Sequence, residues 1–220
     1  MKGILSLLKM KARSGKPSDD HTDSVLFSTA FAGQGVDDSM LVPWEARAVE
    51  VGAKRLPTSR GGKLLQGLWA KDKYMAHLDK DAVERMERFF EFAAVPSNRD
   101  VIRQDEYGNF MVVLLTGTIA VDRVQPWGEQ LRLAETRPGD ILGEMSLLDS
   151  GIRFSACTTL TDCEIAVLSA EAMDDMMTKD PQLAASLIAL LARKLSLRLR
   201  VVSARPVSYT HPPSPRDVEE

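Results

Sequence analysis

The chain has 220 residues, 44% hydrophobic and 27% charged, which provides apolar content for one or two folded cores and an ordinary charged fraction. Its 28 basic and 31 acidic residues leave a formal charge of −3, which excludes a general electrostatic pull toward nucleic acid or an anionic membrane. No apolar run reaches the roughly 18 residues of a membrane span, and the start MKGILSLLKMK lacks the small-residue cleavage site of a secretion signal.

Residues 1–43 read as a flexible N-terminal extension. Within it, Met1 to Lys11 has the pattern of a short amphipathic helix, with Ile4, Leu5, Leu7, Leu8 and Met10 set against Lys2, Lys9 and Lys11. SGKPSDDHTD (14–23) has a linker's composition, and FAGQGVDDS (31–39) reads as a loop. Residues 44–79 read as a helical segment, interrupted at Pro57. DKDAVERMERFFEFAAV follows with Val83, Met86, Phe89, Phe90 and Phe92 at helix-like spacing, Asp79 or Asp81 as cap and Pro96 as stop.

The pattern then changes period. RDVIRQ, NFMVVLLTG, TIAVDRV, EQLRLAET, GDILGEM, FSACTTL and CEIAVLS are short strand-like runs. They are separated by turn signals such as EYGN, QPWG, RPGD and DSGI, and together predict a closed or sandwiched antiparallel structure. AEAMDDMMTKD predicts a short helix, and Pro181 suits the first position of the next. In that long helix Ala184, Ile188, Leu191, Leu195 and Val202 recur at alternating spacings of four and three, the pattern of a coiled-coil seam. Residues 204–220 read as a disordered, proline-rich tail.

Chemistry-bearing residues are sparse. Cys157 and Cys163 fall in strand-like sequence and read as reduced, buried thiols of a cytoplasmic protein. His21, His77 and His211 lie in unrelated regions, and no serine or cysteine pairs with a histidine in a nucleophile arrangement. The chain therefore reads as a non-enzyme, with no catalytic residue and no metal site.

Two stretches carry a resemblance. In VIRQDEYGNFMVVLLTG (101–117), Val101, Ile102, Glu106, Gly108, Met111 to Leu114 and Gly117 keep the register of the early signature of the cyclic nucleotide-binding domain family. PGDILGEMSLLDSGIRFSACTTLTDCEIAVLS (138–169) resembles the phosphate-binding cassette of the same family. The whole layout of residues 80–203, helix, short strands, short helix and long helix, is similar to the catabolite-activator and protein-kinase-regulatory-subunit type. The resemblance implies an α+β, mainly β fold: an antiparallel, jelly-roll-like β-roll flanked by helices, with a long C-terminal helix.

It also implies a site. Gly143 lets backbone approach a ligand, and the amides of Met145, Ser146 and Leu147 stand at a helix N-terminus that suits a phosphate. Glu144 accepts from a ribose hydroxyl, and Arg153, with Ser155 and Ala156 beyond it, pairs with the cyclic phosphate of cyclic AMP or cyclic GMP. The family arginine stands directly before Ser-Ala, whereas here Phe154 does and Arg153 comes one position early. A one-residue shift in a strand reverses a side chain's face, and a bulge restores it. Asp105 stands where the family has glycine, and aspartate tolerates a left-handed turn. Arg198 of the long helix has two readings, stacking on a purine or snorkelling from a dimer seam.

The expected function is a cyclic-nucleotide-binding regulatory module, with cyclic AMP as the expected ligand, that acts through an effector protein and a homodimer formed by helix 182–203. The alternative is a degenerate roll that binds no nucleotide and serves as a protein scaffold. Only a short proline-rich run follows Ser203, so no helix-turn-helix and no direct DNA binding are expected.

Overall fold

In the computed structural model, which describes residues 26–75 and 78–204, alternation along two central strands decides the architecture. Strand β4 (Phe110–Thr116) is buried on both faces, and it sends Met111, Val113 and Leu115 into one core and Phe110, Val112 and Leu114 into another. Strand β9 (Cys163–Ser169) divides in the same way, with Ala166 and Leu168 on one side and Cys163, Ile165 and Val167 on the other. One side of this sheet is covered by helices. The other lines the interior of an antiparallel β-roll.

The first sheet runs β1 (Lys54–Arg55), β2 (Glu91–Val95), β9, β4 and β7 (Ile141–Leu142). The second runs β3 (Asp100–Ile102), β8 (Ala156–Thr159), β5 (Ile119–Val124) and β6 (Gln130–Glu135). All the strand pairs are antiparallel. β6 is exposed along its whole length, and Trp127 in the turn before it is 73% exposed. The helices are α1 (Ala30–Gly33), α2 (Trp44–Val51), α3 (Thr58–Trp69), α4 (Lys80–Glu87), α5 (Glu144–Asp149), α6 (Ala170–Lys179) and α7 (Pro181–Ser203). This is the mainly β roll with flanking helices and a long C-terminal helix that the sequence implies. Asp79 caps α4 by accepting from the Ala82 amide at 2.7 Å.

Three expectations are corrected. The helix expected to run on to Pro96 stops at Glu87, and Glu91–Val95 pairs with β9 as a strand. Phe92 faces the helices while Ala93 and Val95 face the roll, so sheet pairing overrides the helical spacing. Residues 26–43, part of the extension expected to be flexible, are folded onto the domain. Phe27, Phe31 and Val36 are buried there, and the Asp174 carboxylate accepts from the amides of Leu26, Phe27 and Ser28 at 2.8–2.9 Å. The coiled-coil seam is not free, because Ala184 and Leu191 are buried in the chain's own core and Ile188 packs against it. The Met1–Lys11 helix, the 14–23 linker, His77 and the 205–220 part of the tail lie outside the described residues.

Candidate functional site

β7 hands over to α5 through Gly143, whose φ of 75° lies in the left-handed region. This glycine has a second reason to lack a side chain. A Cβ there would lie 2.6 Å from Arg153 Nη1 and 2.8 Å from Ile102 Cδ1. A Cβ on Gly108 would lie 2.7 Å from Arg153 Nη2. The two glycines thus cradle one guanidinium, and the close approach expected for a ligand is made by Arg153.

Arg153 is 3% exposed. Its Nη1 donates to the Gly143 carbonyl at 2.7 Å and its Nη2 to the Phe110 carbonyl at 2.6 Å, with the guanidinium 4.7 Å above the Phe110 ring. Charge-assisted bonds of this kind contribute about 1.5–3 kcal/mol each. The one-position shift is resolved by local backbone. Residues 151–155 are not strand, so alternation does not govern them. Arg153 instead bonds to the 105–106 turn, its amide donating to the Glu106 carbonyl at 2.8 Å and its carbonyl accepting from the Asp105 amide at 2.9 Å. Asp105 takes the left-handed turn conformation, φ 65°, that its side chain tolerates. Arg153 points inward and Phe154 outward, 51% exposed.

Glu144 follows Gly143 and is 3% exposed. Its carboxylate is held by Arg198 Nη1 from α7, and Arg198 Nη2 donates to the Ile141 carbonyl at 2.6 Å. Arg198 is thus turned toward the start of α5. It clasps the long helix to the cassette. Burial raises the Glu144 pKa, and the cations of Arg198, Arg153 and Lys194 pull it back in part. Burial lowers the Arg153 pKa to about 10 and pushes the Cys157 thiol, beside it in the roll, up to about 12.

The structure brings Gly143, Glu144, Arg153 and Arg198 together. Ser146 is buried on α5, whereas Met145 is 46% exposed. Ser155 and Ala156 lie beyond Phe154 and make no side-chain hydrogen bond to these four. Sequence reading missed two neighbours. Arg47 on α2 is 1% exposed and bonds Glu106 and Glu50, tying the N-terminal helix to the 105–106 turn. Arg123 on β5 lies with its guanidinium 3.9 Å over the Phe154 ring and donates to the Phe154 carbonyl. Alternation along TIAVDRV carried a signal for Arg123, because it continues the inward row of Ile119 and Val121.

The fold and this cassette define a β-roll with a buried arginine and carboxylate at the start of a short helix. The family model described as cyclic nucleotide-binding domain matches residues 93–180, so this stretch belongs to that family. The chain is 31% identical over 107 residues to the cyclic AMP receptor protein of Thermus thermophilus, covering 49% of this chain and 50% of that one. It is 28% identical over 100 residues to a CRP-like cAMP-activated global transcriptional regulator of Mycobacterium tuberculosis, covering 46% of this chain and 45% of that one. The chain thus spans about half the length of these curated relatives. A cyclic nucleotide-binding domain from Methylobacillus flagellatus superposes with a TM-score of 0.63 at 22% identity, over 67% of this chain and 84% of that one. The Thermus thermophilus catabolite activator protein superposes with a TM-score of 0.52 at 28% identity, over 60% and 63%. Among the described residues no helix is long and apolar enough to cross a membrane.

Proposed function

We propose that the chain is a cyclic-nucleotide-responsive regulator, not a catalyst, with cyclic AMP as the first ligand to test and cyclic GMP as its competitor. The observation that carries the reading is the Glu144–Arg198 clasp, which puts the carboxylate suited to a ribose hydroxyl in the grip of the output helix. A nucleotide whose ribose takes Glu144 competes with Arg198, and α7 is then held less tightly to the roll. Such a ligand acts only through its differential affinity for the two helix positions. Relatives named for cyclic AMP support this choice. The output reaches a cytoplasmic effector protein, or a second copy of the chain through α7, where Leu197, Leu199 and Val201 are exposed.

A second reading, a roll that binds no nucleotide and serves as a scaffold, draws on one observation. Arg153 already has Gly143 and Phe110 carbonyls for its donors, and Glu144 already has Arg198. Isothermal calorimetry and thermal shift with cyclic AMP and cyclic GMP separate the two. Saturable heat with a rise in melting temperature is expected. No heat and no shift at millimolar nucleotide would leave only the scaffold.

A further inference from the structure

We propose that Arg123, not Arg153, is the cation that meets the cyclic phosphate, with Phe154 as the platform that aims it. The proposal rests on the nucleotide-binding reading and names the residue that would make it work despite the displaced family arginine.

Arg153 is engaged elsewhere. It is almost fully buried, two backbone carbonyls accept from it, and two glycines pack on it so closely that neither has room for a Cβ. A phosphate that claimed those two donors would take it out of that cradle. The carbonyls of Gly143 and Phe110 would then be stranded inside the roll.

Arg123 differs on each count. It is partly exposed. It follows Ile119 and Val121 on the same face of β5, and those two pack with the roll's interior cluster, so Arg123 continues the inward row of that strand. One donor is fixed on the Phe154 carbonyl and its guanidinium carbon lies 3.9 Å from the centre of the Phe154 ring. A planar guanidinium held this way keeps its remaining N–H edge free and oriented. The other arginines around the cassette are neutralised: Arg47 by Glu50 and Glu106, Arg103 by Glu50, Arg132 by Asp122 and Arg198 by Glu144. Arg123 has no carboxylate partner among the described residues. The aromatic ring at the position of the family arginine therefore does not exclude a cation. It presents one supplied by the neighbouring strand.

The test compares cyclic AMP with adenosine, which lacks the phosphate, by calorimetry on the full chain. Arg123→Ala is expected to weaken cyclic AMP at least tenfold and leave adenosine unchanged. Arg123→Lys should recover part of the loss, and Phe154→Leu, which removes the platform but not the cation, should weaken cyclic AMP by a smaller factor. The same melting temperature for Arg123→Ala and the parent chain shows that the loss is not one of folding. Unchanged cyclic AMP affinity in Arg123→Ala, or an equal loss for cyclic AMP and adenosine, overturns the assignment. A parent chain that binds neither cyclic AMP nor cyclic GMP overturns instead the nucleotide-binding reading, and the assignment with it.

Discussion

The cradle around Arg153 makes a quantitative prediction for Gly143→Ala. The new Cβ must accept a φ of 75°, a conformation that costs an L-residue about 1–2 kcal/mol. It must also meet Arg153 Nη1 at 2.6 Å and Ile102 Cδ1 at 2.8 Å, an overpacking that costs about 1–3 kcal/mol. The sum is a destabilisation of about 2–5 kcal/mol, or about 5–20 °C in melting temperature at 2–4 °C per kcal/mol for a chain of this size. Arg153→Met removes the guanidinium while keeping an unbranched stem. In that background Gly143→Ala should keep the backbone cost and the Ile102 contact but lose the clash with Arg153, so the two substitutions couple by about 0.5–3 kcal/mol. Urea unfolding of the four proteins, followed by far-ultraviolet circular dichroism, measures the cycle. A Gly143→Ala cost under about 1 kcal/mol, or strict additivity with Arg153→Met, would refute the argument that this glycine exists to admit this arginine.

Asp174→Ala strands the amides of Leu26, Phe27 and Ser28, so residues 26–43 should become a site of early proteolysis while 80–190 stays protected; an unchanged cleavage pattern goes against it. Burial holds the Glu144 pKa above its ordinary 4.5, so its contribution to stability is greatest below that value and falls as pH rises through the raised one. Arg198→Ala removes a pull in the opposite direction, and urea midpoints at pH 4.5 and pH 7 should show a steeper fall with pH than in the parent chain. Burial pushes both cysteine thiols up, Cys157 to about 12, so neither should react with a thiol reagent at pH 8 until urea unfolds the chain.

The fold was legible where one physical signal acted alone. The seven strand-like runs after residue 97 are short and bounded by turns, and each contains a strand of the roll. Asp105 was legible because few residues accept its turn. The stretch 88–95 misled because Phe89, Phe90 and Phe92 fit a helix as well as a strand. Only the partner β9, far along the chain, decides between them. The segment 26–43 misled because it is held by elements far along the chain, the Asp174 carboxylate in α6 and the packing that buries Phe27 and Phe31, which no local pattern announces. At the site, Gly143, Glu144, Arg153 and Arg198 were named in advance, but their relations were not. Sequence spacing says which residues are near α5, and it does not say that Arg153 spends its donors on carbonyls or that Arg198 spends its charge on Glu144.

Those relations bear on how a signal would leave the site. The first half of α7 is fixed by Leu183, Ala184, Leu187, Leu190 and Leu191, all buried. Beyond Leu191 no described side chain of the helix is buried. That half is tied to the rest by Lys194, which contacts Asp72 and the Gly139 carbonyl at 3.3 Å, and by Arg198 on Glu144 and Ile141. Polar tethers at a partly exposed surface are weak beside a packed apolar face. A ligand that competes for Glu144 therefore need not overcome the core to move the end of α7. It need only replace one of two tethers. At the opposite end, Arg47 ties α2 to Glu106, whose carbonyl holds the Arg153 amide. The cassette is thus joined to α7 through the Glu144–Arg198 clasp and to α2 through the Arg47–Glu106 ion pair. Under the proposed function the first of these carries the response, because Glu144 is the carboxylate that the ligand's ribose would claim while Glu106 stays paired with a buried arginine, and the long helix then moves against a frame that includes α2.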